Sequence, residues 1–252
     1  MSGHSKWATT KHRKAAQDAK RSALFSKLSR IITVAAKEGG DPNPDNNSSL
    51  AAAIAKAKSY SLPKDKIDSA IKKAFGGGSD AARYESITYE GYGPAGVAII
   101  CEALTDNKNR TAADVRAAFT QCGGNLGTTG SVAFQFDRKG QLTVEKTQAS
   151  DEDEFMLMCA EAGAEDYEDA DDEWIVITAA SDLAIVRQSL EEQSIEVKGY
   201  ELIMMPSTMT EVSISQAKSV MRLIDRLEEL EDLQNVYHSM EMTDEIADAL
   251  DQ

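Results

Sequence analysis

Apolar residues return every three or four positions between Ala15 and Lys37, where Leu24, Leu28, Ile31, Ile32 and Ala35 share one side of a predicted helix. The turn-forming run Gly39-Gly40-Asp41-Pro42-Asn43-Pro44-Asp45 ends it. The same period marks a second helix through Leu50, Ile54 and Ala57, with Ser48 or Ser49 as its cap. A third starts after Pro63, turns Ile67, Ala70, Ile71 and Ala74 inward, and stops at Gly76-Gly77-Gly78.

Beyond those glycines the period shortens to two. Ser86 to Glu90 and Val97 to Ala103 read as strands joined by Gly91-Tyr92-Gly93-Pro94-Ala95-Gly96. Thr111 with Asp114 three residues on forms a capping box for a helix that buries Val115, Ala118, Phe119 and Cys122, and Gly123-Gly124-Asn125-Leu126-Gly127 breaks it. Val132 to Phe136 and Gln141 to Glu145 predict a hairpin turning at Arg138-Lys139-Gly140. Ser150 caps the next helix, which buries Phe155, Met158, Cys159 and Ala162. A strand from Trp174 to Thr178, a helix from Ser181 burying Leu183, Val186 and Leu190, and a strand from Glu196 to Met204 complete this segment before Pro206. The tail holds a short strand near Glu211 to Ile214, a helix with Val220, Leu223, Ile224, Leu227 and Leu230 inward, and a strand from Asn235 to Met240.

Neither 79–131 nor the tail can cover both faces of a sheet alone. The economical arrangement joins them and inserts 132–206 between. Three domains are expected: a basic helical domain over 1–78 with an N-terminal arm, a discontinuous α+β domain from 79–131 plus 207–252, and an inserted α+β domain over 132–206.

Charge changes the picture at one end. The formal net charge is −15, yet Met1 to Lys37 carries nine Lys and Arg against the single acid Asp18, which leaves −23 for the remainder. A polyanion is repelled by most of this chain and drawn to its start, because Lys and Arg that displace condensed counterions dominate phosphate affinity. The candidate nucleic-acid-binding residues are therefore His4, Lys6, Trp7, Lys11, His12, Arg13, Lys14, Lys20, Arg21, Lys27 and Arg30. Trp7, His4 and His12 suit stacking on bases, and Trp7 suits equally an anchor that docks the arm on the body.

Other chemistry is weakly supported. Gly91 to Gly96 matches G-x-G-x-x-G, but a strand follows it where a dinucleotide site needs a helix. Asn107, Asn109 and Arg110 precede a helix and read as a cap and loop tie in preference to a phosphate site. The acidic run Glu165, Asp166, Glu168, Asp169, Asp171, Asp172 and Glu173 lacks the glycine and spacing of a calcium loop and reads as a solvated loop. Cys101, Cys122 and Cys159 are odd in number, have no zinc or redox spacing, and read as small core residues in a reducing cytoplasm. With only three histidines no catalytic triad assembles, so no enzyme, metal or cofactor is expected. The apolar runs are too short for a membrane span. The acid-poor start also has the composition of a transit peptide.

Several stretches carry a family resemblance: Gly3-His4-Ser5-Lys6-Trp7, His12-Arg13-Lys14, Asp18 with Lys20-Arg21, Tyr89-Glu90-Gly91-Tyr92-Gly93-Pro94, Asp106-Asn107-Lys108-Asn109-Arg110-Thr111, Gly123-Gly124-Asn125-Leu126-Gly127, Gly130-Ser131-Val132, Leu223-Ile224-Asp225 and Val236-Tyr237-His238. Over nearly its whole length the chain resembles the YebC/PmpR family, departing at Ser239, where members often carry Asn. The resemblance implies an α+β protein of three domains, the helical one followed by two ferredoxin-like antiparallel sheet-and-helix domains, one inserted in the other. It also implies a role in gene expression without known catalysis. Members are labelled probable DNA-binding transcriptional regulators, while others look like ribosome-associated factors that relieve stalling at stretches such as consecutive prolines. Mitochondrial members are translational activators for a cytochrome c oxidase subunit. Promoter DNA and ribosomal RNA thus stand as alternative partners, a protein-binding adaptor working through the acidic domains is a third option, and a cytoplasmic monomer is expected.

Overall fold

Leu28, Ile32, Ala35 and Ala36 are buried along one side of the first helix, α1 (Asp18–Gly39), as the three-and-four spacing requires. The structure is a computed structural model that describes residues 18–76, 84–149, 151–170 and 172–250, with the side chains of α1 described from Ser22 onward. The stop expected at Gly77 and Gly78 lies outside the described residues, as does Ser150, and the cap of helix Glu152–Ala162 is instead Asp151, which accepts from Glu154 N at 3.1 Å.

Helices α2 (Ser48–Ser59) and α3 (Lys64–Phe75) follow. The cap of α2 is Asn47, not Ser48 or Ser49. Its buried amide accepts from Leu50 N at 3.0 Å and donates to Ala35 O at 3.0 Å, a second bond that a serine hydroxyl is too short to make. Gly39 makes room for that amide, since a Cβ there would lie 2.1 Å from Asn47 Nδ2. Thr33 Oγ1, in α1, lies 3.1 Å from Ala70 O of α3.

The first sheet has the order β3-β1-β2-β8, built from β1 (Glu85–Tyr92), β2 (Ala98–Thr105), β3 (Asn125–Leu126) and β8 (Leu233–His238), with antiparallel pairing throughout. Its helices are α4 (Lys108–Gln121), packed on β1, β2 and β3, and α7 (Ile214–Glu228), packed on β8 and α4; a short helix α8 (Asp244–Leu250) closes the chain. Val115, Ala118 and Phe119 of α4 and Val220, Leu223, Ile224 and Leu227 of α7 are buried, as their periodicity predicts, while Cys122 and Leu230 are half-buried. Ala98 and Ile100 of β2 form a second cluster with Val132 and Phe136, so this strand is buried on both faces.

The second sheet has the order β5-β6-β4-β7, from β4 (Phe136–Glu145), β5 (Asp166–Ala170), β6 (Glu173–Ala179) and β7 (Val197–Pro206). With α5 (Glu152–Ala162) and α6 (Leu183–Glu192) in its crossovers it is a strand-helix-strand-strand-helix-strand, ferredoxin-like arrangement. Leu142, Val144, Phe155, Trp174, Val176 and Leu190 form its core, with Phe155 and Trp174 stacked at 5.2 Å. By Cα proximity the described chain forms two compact units, one of 28–76 with 138–203, the other of 18–27, 84–137 and 204–250.

Four local expectations are corrected. There is no hairpin turn at Arg138 to Gly140; a single-turn helix at Ala133–Gln135 leads into β4, which pairs with β6 without a break from Lys139↔Ala179 to Glu145↔Glu173. Gly140 is required there by close approach, since a Cβ would lie 2.3 Å from Thr178 Oγ1 and 2.9 Å from Leu183 Cβ. Gly140→Ala is expected to cost about 1–3 kcal/mol through overpacking, read by urea denaturation; an unchanged midpoint would contradict this packing. The acidic stretch is not a loop, because Asp166–Ala170 is an edge strand whose Tyr167 packs on the core while Asp166 and Asp169 are exposed, and charges on an edge hinder edge-to-edge pairing. The α4 cap is Asn107, which accepts from Arg110 N at 3.1 Å, because Thr111 lies inside the helix with its hydroxyl turned to Asp232. Residues 211–213 form no strand and Ile214 opens α7; in place of the expected strand there is an isolated parallel bridge between Thr210 and Met240.

Candidate nucleic-acid interface

His4, Lys6, Trp7, Lys11, His12, Arg13 and Lys14 lie outside the described residues, and Lys20 and Arg21 are placed by their backbone in the first turn of α1. Lys27 is half-buried and donates to the Glu228 carbonyl at 2.6 Å, at the C-terminus of α7, where a cation satisfies an open carbonyl and opposes the negative end of the helix. Arg30 is half-buried.

Basic character extends past the arm. Residues 1–78 hold 15 Lys and Arg against 6 acids, a surplus of nine in a chain of −15. Lys58, Lys64, Lys66, Lys72 and Lys73 are exposed on α2 and α3, with Asp65 and Asp68 among them. Reading the arm alone misses these five lysines; charge counted helix by helix would have found them. Lys56 instead pairs with Glu201 of β7. The inserted segment 138–203 is the opposite pole, with 5 Lys and Arg against 18 acids.

In the unit that contains the first turns of α1, two buried carboxylates fix the loops. Glu90, at the end of β1, is buried and accepts three backbone N–H groups, from Gly130 at 2.7 Å, Val132 at 2.9 Å and Ala133 at 2.8 Å. Burial alone raises the pKa of such a carboxyl, but these donors hold the charged form and bring it below its ordinary value. The backbone closes around it. Gly127 N donates to Glu90 O at 2.8 Å, and a Cβ at Gly91 would lie 2.6 Å from Asn125 O. Asp232, also buried, accepts from Thr111 Oγ1 at 2.7 Å, Thr105 Oγ1 at 3.2 Å and Arg110 Nη2 at 2.7 Å, while Arg110 also reaches Asp106 at 2.9 Å. Arg110 is thereby spent on a loop tie, which accounts for the Asp106 to Thr111 motif without a phosphate.

Family comparison decides the kinship of this arrangement. The model of the TACO1/YebC protein N-terminal domain matches residues 5–77, and that of the TACO1/YebC second and third domain matches 84–240. This chain belongs to the TACO1/YebC family. A "probable transcriptional regulatory protein" of Rubrobacter xylanophilus is 50% identical over 246 residues, covering 98% of each chain, and one of Bifidobacterium longum is 48% identical over 252 residues, covering 100% of each. Among solved structures, a conserved hypothetical protein of Aquifex aeolicus superposes with a TM-score of 0.80 at 38% identity, over 89% of this chain and 91% of that one.

The TACO1/YebC stretches around Glu90 and Asp106 are thus scaffold in this structure. So is the departure at Ser239, whose buried hydroxyl accepts from Ala98 N at 2.9 Å and lies 2.8 Å from Thr210 Oγ1. Burial pushes the Cys101 thiol up, with the Glu228 charge adding to it, and raises Cys159 to about 12, so both stay protonated at neutral pH and lack nucleophilic thiolate. Among the described residues no helix is long and apolar enough to cross a membrane, and no group of three or more His, Cys, Asp or Glu is placed to hold a metal ion.

Proposed function

We propose that this TACO1/YebC chain is a cytoplasmic, nucleic-acid-binding regulator of gene expression that acts by binding and not by catalysis. The observation that carries the reading is the surplus of nine cations over residues 1–78 in a chain of −15. Such segregation focuses a polyanion on one domain and lets the acidic remainder repel it elsewhere. The arm and the exposed lysines of α2 and α3 contact phosphates, and the acidic sheets position that domain or meet a protein partner. The relatives' names favour transcription, with promoter DNA as the target; in the translation alternative the same cations meet ribosomal RNA.

Two measurements test this. If about six phosphates are neutralised, log affinity for a duplex falls with log salt at a slope near −5, from about −0.9 per phosphate. A slope near zero would sink the phosphate model. Ultraviolet crosslinking in cells, followed by sequencing of both the attached DNA and the attached RNA, separates the targets. Discrete promoter fragments with RNA at background support the transcriptional reading, whereas ribosomal RNA joined through residues 1–78 replaces it with the translational one.

A further inference from the structure

Phe134 is 75% exposed, the most exposed of the large apolar residues described. It occupies the single-turn helix Ala133–Gln135 between Val132 and Phe136, both buried, so its two neighbours take the core positions and the ring between them is turned to solvent. Tyr92 stands beside it. The Tyr92 hydroxyl donates to Ser131 O at 3.1 Å and accepts from Gln135 Nε2 at 3.0 Å, which ties this half-exposed ring to both sides of the Phe134 turn. The turn is held from below by the three N–H bonds to buried Glu90. An exposed aromatic on a braced loop loses little conformational freedom when it binds.

The surroundings define what fits. Residues 117–136 contain no charged side chain, the longest such window in the chain, so in an otherwise acidic unit this stretch adds no charge of its own to the surface around Phe134. Asn125, Thr128 and Thr129 are exposed around it and offer amide and hydroxyl hydrogen bonds. Tyr92 and Phe134 are the only large apolar side chains exposed among the described residues of their unit. A stable protein interface needs about 800 Å² per partner around an apolar core, far more than two rings supply. Two aromatic faces with neutral polar neighbours are instead what unpaired bases stack on. The N-terminal half of α1, with Lys20 and Arg21 in its first turn, belongs to the same unit.

We propose that Phe134 and Tyr92 form a stacking platform for the unpaired bases of single-stranded nucleic acid. The platform rests on the nucleic-acid reading above and adds the part of the ligand that phosphate contacts cannot select.

The test uses the full chain and fluorescein-labelled 12-nucleotide oligomers, oligo(U) and oligo(dT), against a 20-base-pair duplex, over a range of salt. Phe134→Ala is expected to weaken single-strand binding about tenfold, in keeping with the loss of one stacked base, and to leave duplex binding unchanged. The salt slope stays as in the wild type, because no cation is removed. Phe134→Leu is expected to be nearly as weak as the alanine variant, and Phe134→Trp to bind like the wild type. Equal effects on oligo(U) and oligo(dT) mark a platform for bases of either sugar, and a loss confined to oligo(U) assigns it to RNA. With 5-iodouridine at one position, the crosslinked peptide contains Phe134. Single-strand affinity unchanged in Phe134→Ala, with a steep salt slope intact, overturns the platform and leaves the basic domain standing. A wild-type protein without salt-dependent binding to any of these probes overturns the nucleic-acid reading itself.

Discussion

Replacing Arg13, Lys14, Lys20 and Arg21 together by glutamate is expected to lower nucleic-acid affinity about 4,000-fold near ~0.1 M salt. Each phosphate contact releases about 0.9 counterion on a duplex, which near that salt concentration corresponds to roughly eightfold in affinity per contact. Four lost contacts multiply to the stated figure, before counting repulsion by the new carboxylates. The log–log salt slope should fall in magnitude from near −5 towards about −2. Fluorescence anisotropy across a salt series reads both quantities at once. A weaker complex with the original slope would mean that these four residues support the fold and do not meet phosphates. An unchanged complex would remove the arm from the mechanism and leave the exposed lysines of α2 and α3 as the candidates.

The second large effect is on stability. Glu90→Ala leaves three backbone N–H groups, those of Gly130, Val132 and Ala133, without their acceptor in a buried site, and is expected to cost about 3–4 kcal/mol. Urea denaturation measures it, and a loss under 1 kcal/mol (about the worth of one ordinary hydrogen bond) would show that water replaces the carboxylate. Glu90→Gln adds a pH test. The Glu90 pKa is lowered on folding, so its contribution is fully present above the unfolded value near 4.5 and disappears as pH falls through the lower folded value. The gap in melting temperature between wild type and Glu90→Gln should therefore be widest at neutral pH and narrow only in acid below the unfolded value. A gap that persists unchanged at the lowest pH would contradict an ionised, hydrogen-bonded Glu90. Because the same bonds brace the Phe134 turn, Glu90→Gln should also weaken single-strand binding, while Phe134→Ala leaves stability unaltered.

Helical elements were more legible than caps and turns. The buried positions of α1, α4, α5 and α7 follow from spacing alone, since a 3.6-residue period states which face is apolar whatever covers it. Caps went astray because Ser48, Thr111 and Asn47 are all plausible helix starters locally, and what chose Asn47 was its second bond to Ala35, twelve residues back. Gly140 was legible as special but not as to why. A glycine that permits a turn and one that admits Thr178 look alike in sequence, and only the pairing of β4 with β6 separates them. In the candidate interface the net charge was legible and the use of each cation was not: Lys27 is drawn to the end of α7, formed two hundred residues later.

By itself the sequence determined the order of helices and strands, the family, and the separation of a basic start from an acidic remainder, because periodicity and charge are properties of neighbouring residues. Tertiary structure alone decided which carboxylates are buried as loop ties, which cations are spent on carbonyls or acids, and which aromatic is left in solvent. Those outcomes depend on partners 40 to 201 residues apart, from Glu90 with Gly130 to Lys27 with Glu228. A buried polar group takes whichever partner the packed chain brings within reach, and packing is not written in any local pattern.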